Sequence, residues 1–150
     1  MLREDLQNSL KEAMKNKDMK TVSAVRLIIA GQKEKDVEAR GKGLEKAGDD
    51  VLLAMMQTMI KQRNESIKIY KEGNRPDLAE KEQAEIDVIS RFLPKQMNAE
   101  ETEEAIKAAI AETGAAGIRD MGKVMGALKA KYAGQMDFGA ASAAIKKFLA

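Results

Sequence analysis

The chain has 150 residues, 44% of them hydrophobic and 33% charged, with 26 Lys and Arg against 24 Asp and Glu for a net charge of +2. A chain of this size can bury a core as one domain or two small ones, and so balanced a charge points to no partner by itself. With no cysteine and no histidine, disulfides, Cys- or His-based zinc sites, Ser-His-Asp triads and Cys-His dyads are excluded, which leaves carboxylates, lysines or a hydroxyl for any catalysis.

No apolar run approaches the roughly 20 residues that span a bilayer, and the stretch from Met1 to Asp5 lacks a signal peptide's apolar segment, so a cytoplasmic protein without membrane association is expected. Leu2, Leu6, Leu10, Ala13 and Met14 recur at helical spacing and predict a first amphipathic helix ending near Asn16-Lys17-Asp18. In the second helix Val22, Val25, Ile29 and Val37 mark the buried side, while the charges from Lys33 to Arg40 predict last turns projecting into solvent. Gly41-Lys42-Gly43 breaks it, the stretch to Gly48 reads as a mobile loop, and Asp49 or Asp50 is placed to cap the next helix.

The third helix carries Leu52, Met56, Met59, Ile60, Ile67 and Tyr70 on one side and ends at Gly73-Asn74; Pro76 opens a fourth with Leu78, Ile86, Ile89, Phe92 and Leu93 inward. So short a turn makes the two an antiparallel pair. Arg63 lies within the apolar stripe of the third helix, and Glu82 and Glu85 within that of the fourth; reflecting position 63 through the turn at 74 lands on 85. Arg63 paired with Glu85, with Glu82 nearby, accounts for three charges on apolar faces, as an ion pair fixing register or as a polar site between the helices.

Pro94 then ends the helical pattern, and Ser90 to Met97 reads as a hinge between domains 1–93 and 94–150. Beyond it Asn98 and Glu101 have capping-box spacing, and an acidic fifth helix buries Ile106, Ala109 and Ile110. A sixth helix presents Met121, Val124, Met125, Leu128 and Tyr132, and a seventh Phe138, Ala141, Ile145, Phe148 and Leu149, with Gly134 and Asp137 as stop and cap between them. The whole chain is therefore expected to be all-α.

Gly117 to Lys123 has the spacing of a phosphate-binding loop, but Val124 stands where that loop needs Ser or Thr for magnesium, and a helix rather than a strand precedes it. Asp120 as the cap of the sixth helix, with Gly122 and Gly126 admitting a neighbouring backbone, is the better reading. Arg119, Lys123, Lys129, Lys131, Lys146 and Lys147 accompany only Asp120 and Asp137 over the last two helices. This basic end is either a solvated face or a phosphate-binding one, and without interleaved aromatic residues it would read backbone or shape rather than stacked bases.

Asn74-Arg75-Pro76-Asp77-Leu78-Ala79, Glu82, Glu85-Ile86, the stretch Phe92 to Met97, the stretch Asp120 to Met125 and Gly134-Gln135-Met136-Asp137 together resemble the YqeY-like family, over essentially the full length. The family's domain, the GatB/YqeY domain, is similar to the tail of the B subunit of the bacterial glutamine-dependent tRNA amidotransferase. The resemblance implies a bacterial protein with two different three-helix-type bundles joined by a partly helical linker. Together with the basic end it points to a non-catalytic tRNA-binding accessory protein, working beside an amidotransferase or another tRNA enzyme; the resemblance carries a tRNA contact to Lys123 alone, and the basic end adds Arg119, Lys129 and Lys131 as candidate contacts. The family is also classed with carbon-nitrogen ligases using glutamine as amido-N-donor, so a component of such a ligase is the alternative, and a helical protein-interaction adaptor the second. The chain shows no ATP or glutaminase motif and no nucleophile placed beside a base, and no cofactor or metal is expected.

Overall fold

The structure, a computed structural model, describes all of residues 1–150 and is all-α. In chain order it has α1 (Leu2–Lys15), α2 (Met19–Gly41), α3 (Asp49–Glu72), α4 (Pro76–Ser90), α5 (Ala99–Thr113), a 3-10 turn (Ile118–Asp120), α6 (Met121–Tyr132) and α7 (Phe138–Leu149). The chain divides into two compact units, Met1–Pro94 and Lys95–Ala150. No helix is long and apolar enough to cross a membrane.

In the first unit α1 stops where Lys17 takes a left-handed conformation (φ 57°). Asp18 then caps α2, accepting from the Thr21 amide at 3.3 Å and its hydroxyl at 2.6 Å. Four helices share one core: Leu2 and Leu6 of α1, Val25 and Ile28 of α2, Leu52 and Met56 of α3, and Val88 and Ile89 of α4. Each fully buried Leu or Ile contributes about 1.5–3 kcal/mol. A second cluster, Ile67, Ala79 and Ile86 beneath Ile60 and Tyr70, holds the far part of the α3–α4 pair together. Between those helices Asn74 is left-handed (φ 56°) and Pro76 occupies the first turn of α4, where its missing amide is no loss.

Several local expectations give way here. Met14 lies exposed, and Val37 is 63% exposed, because the inward position on that turn of α2 belongs to Asp36. The last turns of α2 do not simply project into solvent, since Asp36 and Ala39 are both buried. The loop after α2 is anchored rather than loose, with Ala47 only 3% exposed. Gly48, not Asp49 or Asp50, is the cap residue of α3; the two aspartates sit in its first turn, where their charge suits the helix dipole.

The second unit is closed at its start by two bonds to the α6–α7 connection: Gln96 Nε2 donates to the Gly134 carbonyl at 2.6 Å and the Met97 amide to that of Gln135 at 2.9 Å. Asn98 and Glu101 form a reciprocal capping box on α5. Gly114 (φ 65°) ends that helix, and Asp137 caps α7 through the Gly139 and Ala140 amides. Ile106, Val124, Leu128, Met136, Ala141 and Ile145 form the core. Phe148, expected inside, is 42% exposed. Gly122 and Gly126 face open space, so neither admits a neighbouring backbone.

Candidate functional site

Arg63 and Glu85 meet across the α3–α4 pair, with Arg63 Nε 2.8 Å from Glu85 Oε2 and 4.0 Å from Glu82 Oε2. The guanidinium also donates through Nη1 to the Met59 carbonyl one turn earlier at 3.1 Å. Side-chain exposures of 15% and 17% for Arg63 and Glu85 leave the pair mostly withdrawn from water, where ionic hydrogen bonds are strong and stranded charges costly.

A second cluster of this kind was not anticipated. Arg3 of α1 grips Asp36 of α2 with two bonds of 2.8 and 2.7 Å, and its Nη2 also donates to the Ala47 carbonyl at 2.6 Å. Asp36 Oδ1 in turn accepts from the Ala47 amide at 2.9 Å. One carboxylate therefore ties two helices and a loop together. The Arg3 guanidinium first, and the Ala47 amide second, hold the Asp36 carboxyl well below the usual carboxylate range. Its signal lay in the sequence: Asp36 continues the spacing of Val22 and Ile29, so it is a charge on a buried stripe, as Arg63 is.

In the second unit the four cations singled out above are not equivalent. Arg119 on the 3-10 turn and Lys123 and Lys129 on α6 are exposed and have no carboxylate partner, whereas Lys131 Nζ stands 3.1 Å from both carboxylate oxygens of Glu112 on α5. Asp120 does not cap α6. Its carboxylate turns back to accept from the Ala116 amide at 3.0 Å, because the 3-10 turn runs straight into the helix. The same turn uses the Met121 amide, which donates to the Ile118 carbonyl, so fewer free amides converge with Lys123 than an abrupt helix start would offer. The hydroxyls of Thr58, Ser90, Thr102 and Thr113 donate to carbonyls of the preceding turn, which is helix back-bonding rather than nucleophile activation.

The model of the family described as Yqey-like protein matches residues 3–149. The chain belongs to this family. Among curated members of related sequence, "Altered inheritance of mitochondria protein 41, mitochondrial" of Lachancea thermotolerans is 34% identical over 99 residues, 66% of this chain and 51% of the relative. The protein of the same name in Candida glabrata is 38% identical over 88 residues, 59% of this chain and 47% of the relative. That of Saccharomyces cerevisiae is 34% identical over 88 residues, 59% and 46%. The YqeY-like chain thus spans about half the length of the curated relatives it matches. All three are named as mitochondrial proteins of yeasts, which overturns the expectation of a bacterial, cytoplasmic protein drawn from composition and resemblance.

Proposed function

We propose that this YqeY-like chain is a non-catalytic accessory protein that contacts the backbone of a folded RNA, of the tRNA class, through the Arg119, Lys123 and Lys129 face of its second unit. The supporting observation is that these three exposed cations lack carboxylate partners, while Lys131 beside them is held by Glu112. Unpaired cations release counterions on meeting phosphate; a cation already paired must first give up its partner. Lys123 lies opposite the apolar stripe of α6 and one turn beyond Arg119, so these two form the centre of the face. Exposed aromatic residues do not accompany them, and the contact is to backbone and shape.

A salt titration of tRNA affinity tests this. Lys123→Ala should weaken binding and lower the slope of log affinity against log salt by about one, whereas Lys131→Ala should change it less. Circular dichroism of each variant controls for folding. An unchanged slope in Lys123→Ala with helices intact, or no tRNA binding by the wild type at low salt, would overturn the reading.

A further inference from the structure

Packing holds the chain at Ala115 and again at Met121, both against the core of the second unit. None of the residues between them, Ala116 to Asp120, is buried, and Ile118 is 55% exposed. No apolar anchor therefore fixes the span that carries Arg119. Asp120 fixes it with polar groups instead: its amide donates to the Gly117 carbonyl at 2.9 Å, and its carboxylate accepts from the Ala116 amide at 3.0 Å. The carboxylate bond is the one side-chain tie across this loop, and Arg119 rides on the loop one turn ahead of Lys123.

The charge of Asp120 works against the role proposed for its neighbours. A carboxylate set between Arg119 and Lys123 repels the phosphate that those cations would meet, so through charge alone the side chain weakens RNA binding. Its hydrogen bond acts in the opposite direction. A loop closed in advance spares the conformational entropy that a free span loses when a ligand orders it. We infer, resting on the reading of this face as an RNA contact, that Asp120 is a positioning residue whose bond to the Ala116 amide presets Arg119 beside Lys123 for one RNA backbone. Asp120 itself touches no phosphate. Ala116 is exposed, so water takes the place of the carboxylate when it is removed, and the fold does not depend on this bond.

Two substitutions in the full chain separate the opposing effects. Asp120→Asn removes the charge and keeps an oxygen acceptor for the Ala116 amide, whereas Asp120→Ala removes both. The two variants carry the same net charge, so long-range electrostatics does not distinguish them. At one fixed salt concentration Asp120→Asn should bind tRNA about twofold more tightly than the wild type, and Asp120→Ala about threefold more weakly than Asp120→Asn. In an Arg119→Ala background the gap between the two should close, because positioning acts through Arg119; a general structural defect would leave it open. Amide nitrogen relaxation should find residues 116–120 as ordered as α6 in the wild type and Asp120→Asn but more mobile in Asp120→Ala, with helicity equal in all three. Equal affinity of the two variants, or a gap that persists without Arg119, would overturn the inference and leave the RNA reading in place. No tRNA binding by the wild type at low salt would overturn that reading, and this inference with it.

Discussion

Two arginine–carboxylate clusters brace the first unit, and they differ in what the charges hold besides each other. Arg63 and Glu85 join two helix side chains, with Glu82 at 4.0 Å as a second carboxylate. Arg3 and Asp36 also take the carbonyl and amide of Ala47, so backbone groups of a loop depend on them. An ion pair between side chains can be replaced by apolar surface with little loss, but one that satisfies buried backbone cannot, because the backbone groups remain when the side chains are gone.

The sharpest break in this comparison is Asp36→Ala. It strands the Arg3 guanidinium and the Ala47 amide together, and should cost about 3–5 kcal/mol in urea denaturation, while Asp36→Asn, which keeps an acceptor for the amide, should cost less. Loss of the anchor should also make the stretch from Gly41 to Gly48 more susceptible to limited proteolysis than in the wild type, where Ala47 is buried. The same carboxylate gives a pH signature. Its folded-state pKa is depressed, so its contribution is fully present above the unfolded value of about 4 and is lost as pH falls from there toward the folded value. Wild-type stability should decline in that acid window, and Asp36→Asn should lack this part of the decline. Equal acid sensitivity in the two proteins would assign the decline to other carboxylates.

The second cluster should respond less and unequally. Arg63→Met leaves two carboxylates facing each other and should cost about 2–3 kcal/mol, whereas Glu85→Leu leaves Arg63 with Glu82 close by and should cost less. Arg63→Met combined with Glu85→Leu should be milder than the sum of the singles, with a coupling of about 1 kcal/mol or more. Strict additivity would mean that the two side chains do not act on each other in solution.

Why one cluster was legible and the other was not is a matter of connectivity. The seven helices, the α3–α4 pair and the capping box at Asn98 follow from periodicity and cap chemistry within a few residues. The tight turn at Asn74 lets position 63 be reflected onto 85, so the Arg63 partner could be named. Reflecting position 3 through the turn at Lys17 lands on Gly31 instead of Asp36, and Ala47 joins from a loop that periodicity does not describe. Reading α2 by its apolar residues alone put Val37 inward one position from the charge that is buried there. In the second unit the cations were visible as residue types, but whether each one has a partner was not. Glu112 reaches Lys131 from α5 across 19 positions of sequence, and the 3-10 turn that redirects Asp120 has no signature separable from an ordinary helix start.

A third pair isolates burial from geometry. Arg75 and Asp77 make two bonds of 3.1 and 3.0 Å, a bidentate arrangement much like that of Arg3 with Asp36, and Arg75 holds the Asp77 carboxyl below its usual range. Yet their side chains are 58% and 63% exposed, and no loop backbone hangs on them. Water replaces either partner when the other is removed, and the two side chains recover rotamer freedom. Asp77→Ala is the poorer probe, because Asp77 also sits in the first turn of α4, where its charge favours the helix dipole. Arg75→Ala is cleaner and should leave the urea midpoint within experimental error at neutral pH. A fall approaching that of Asp36→Ala would mean that bidentate geometry, rather than burial and backbone partners, sets the strength of these pairs, and would remove the basis on which the first two clusters were ranked.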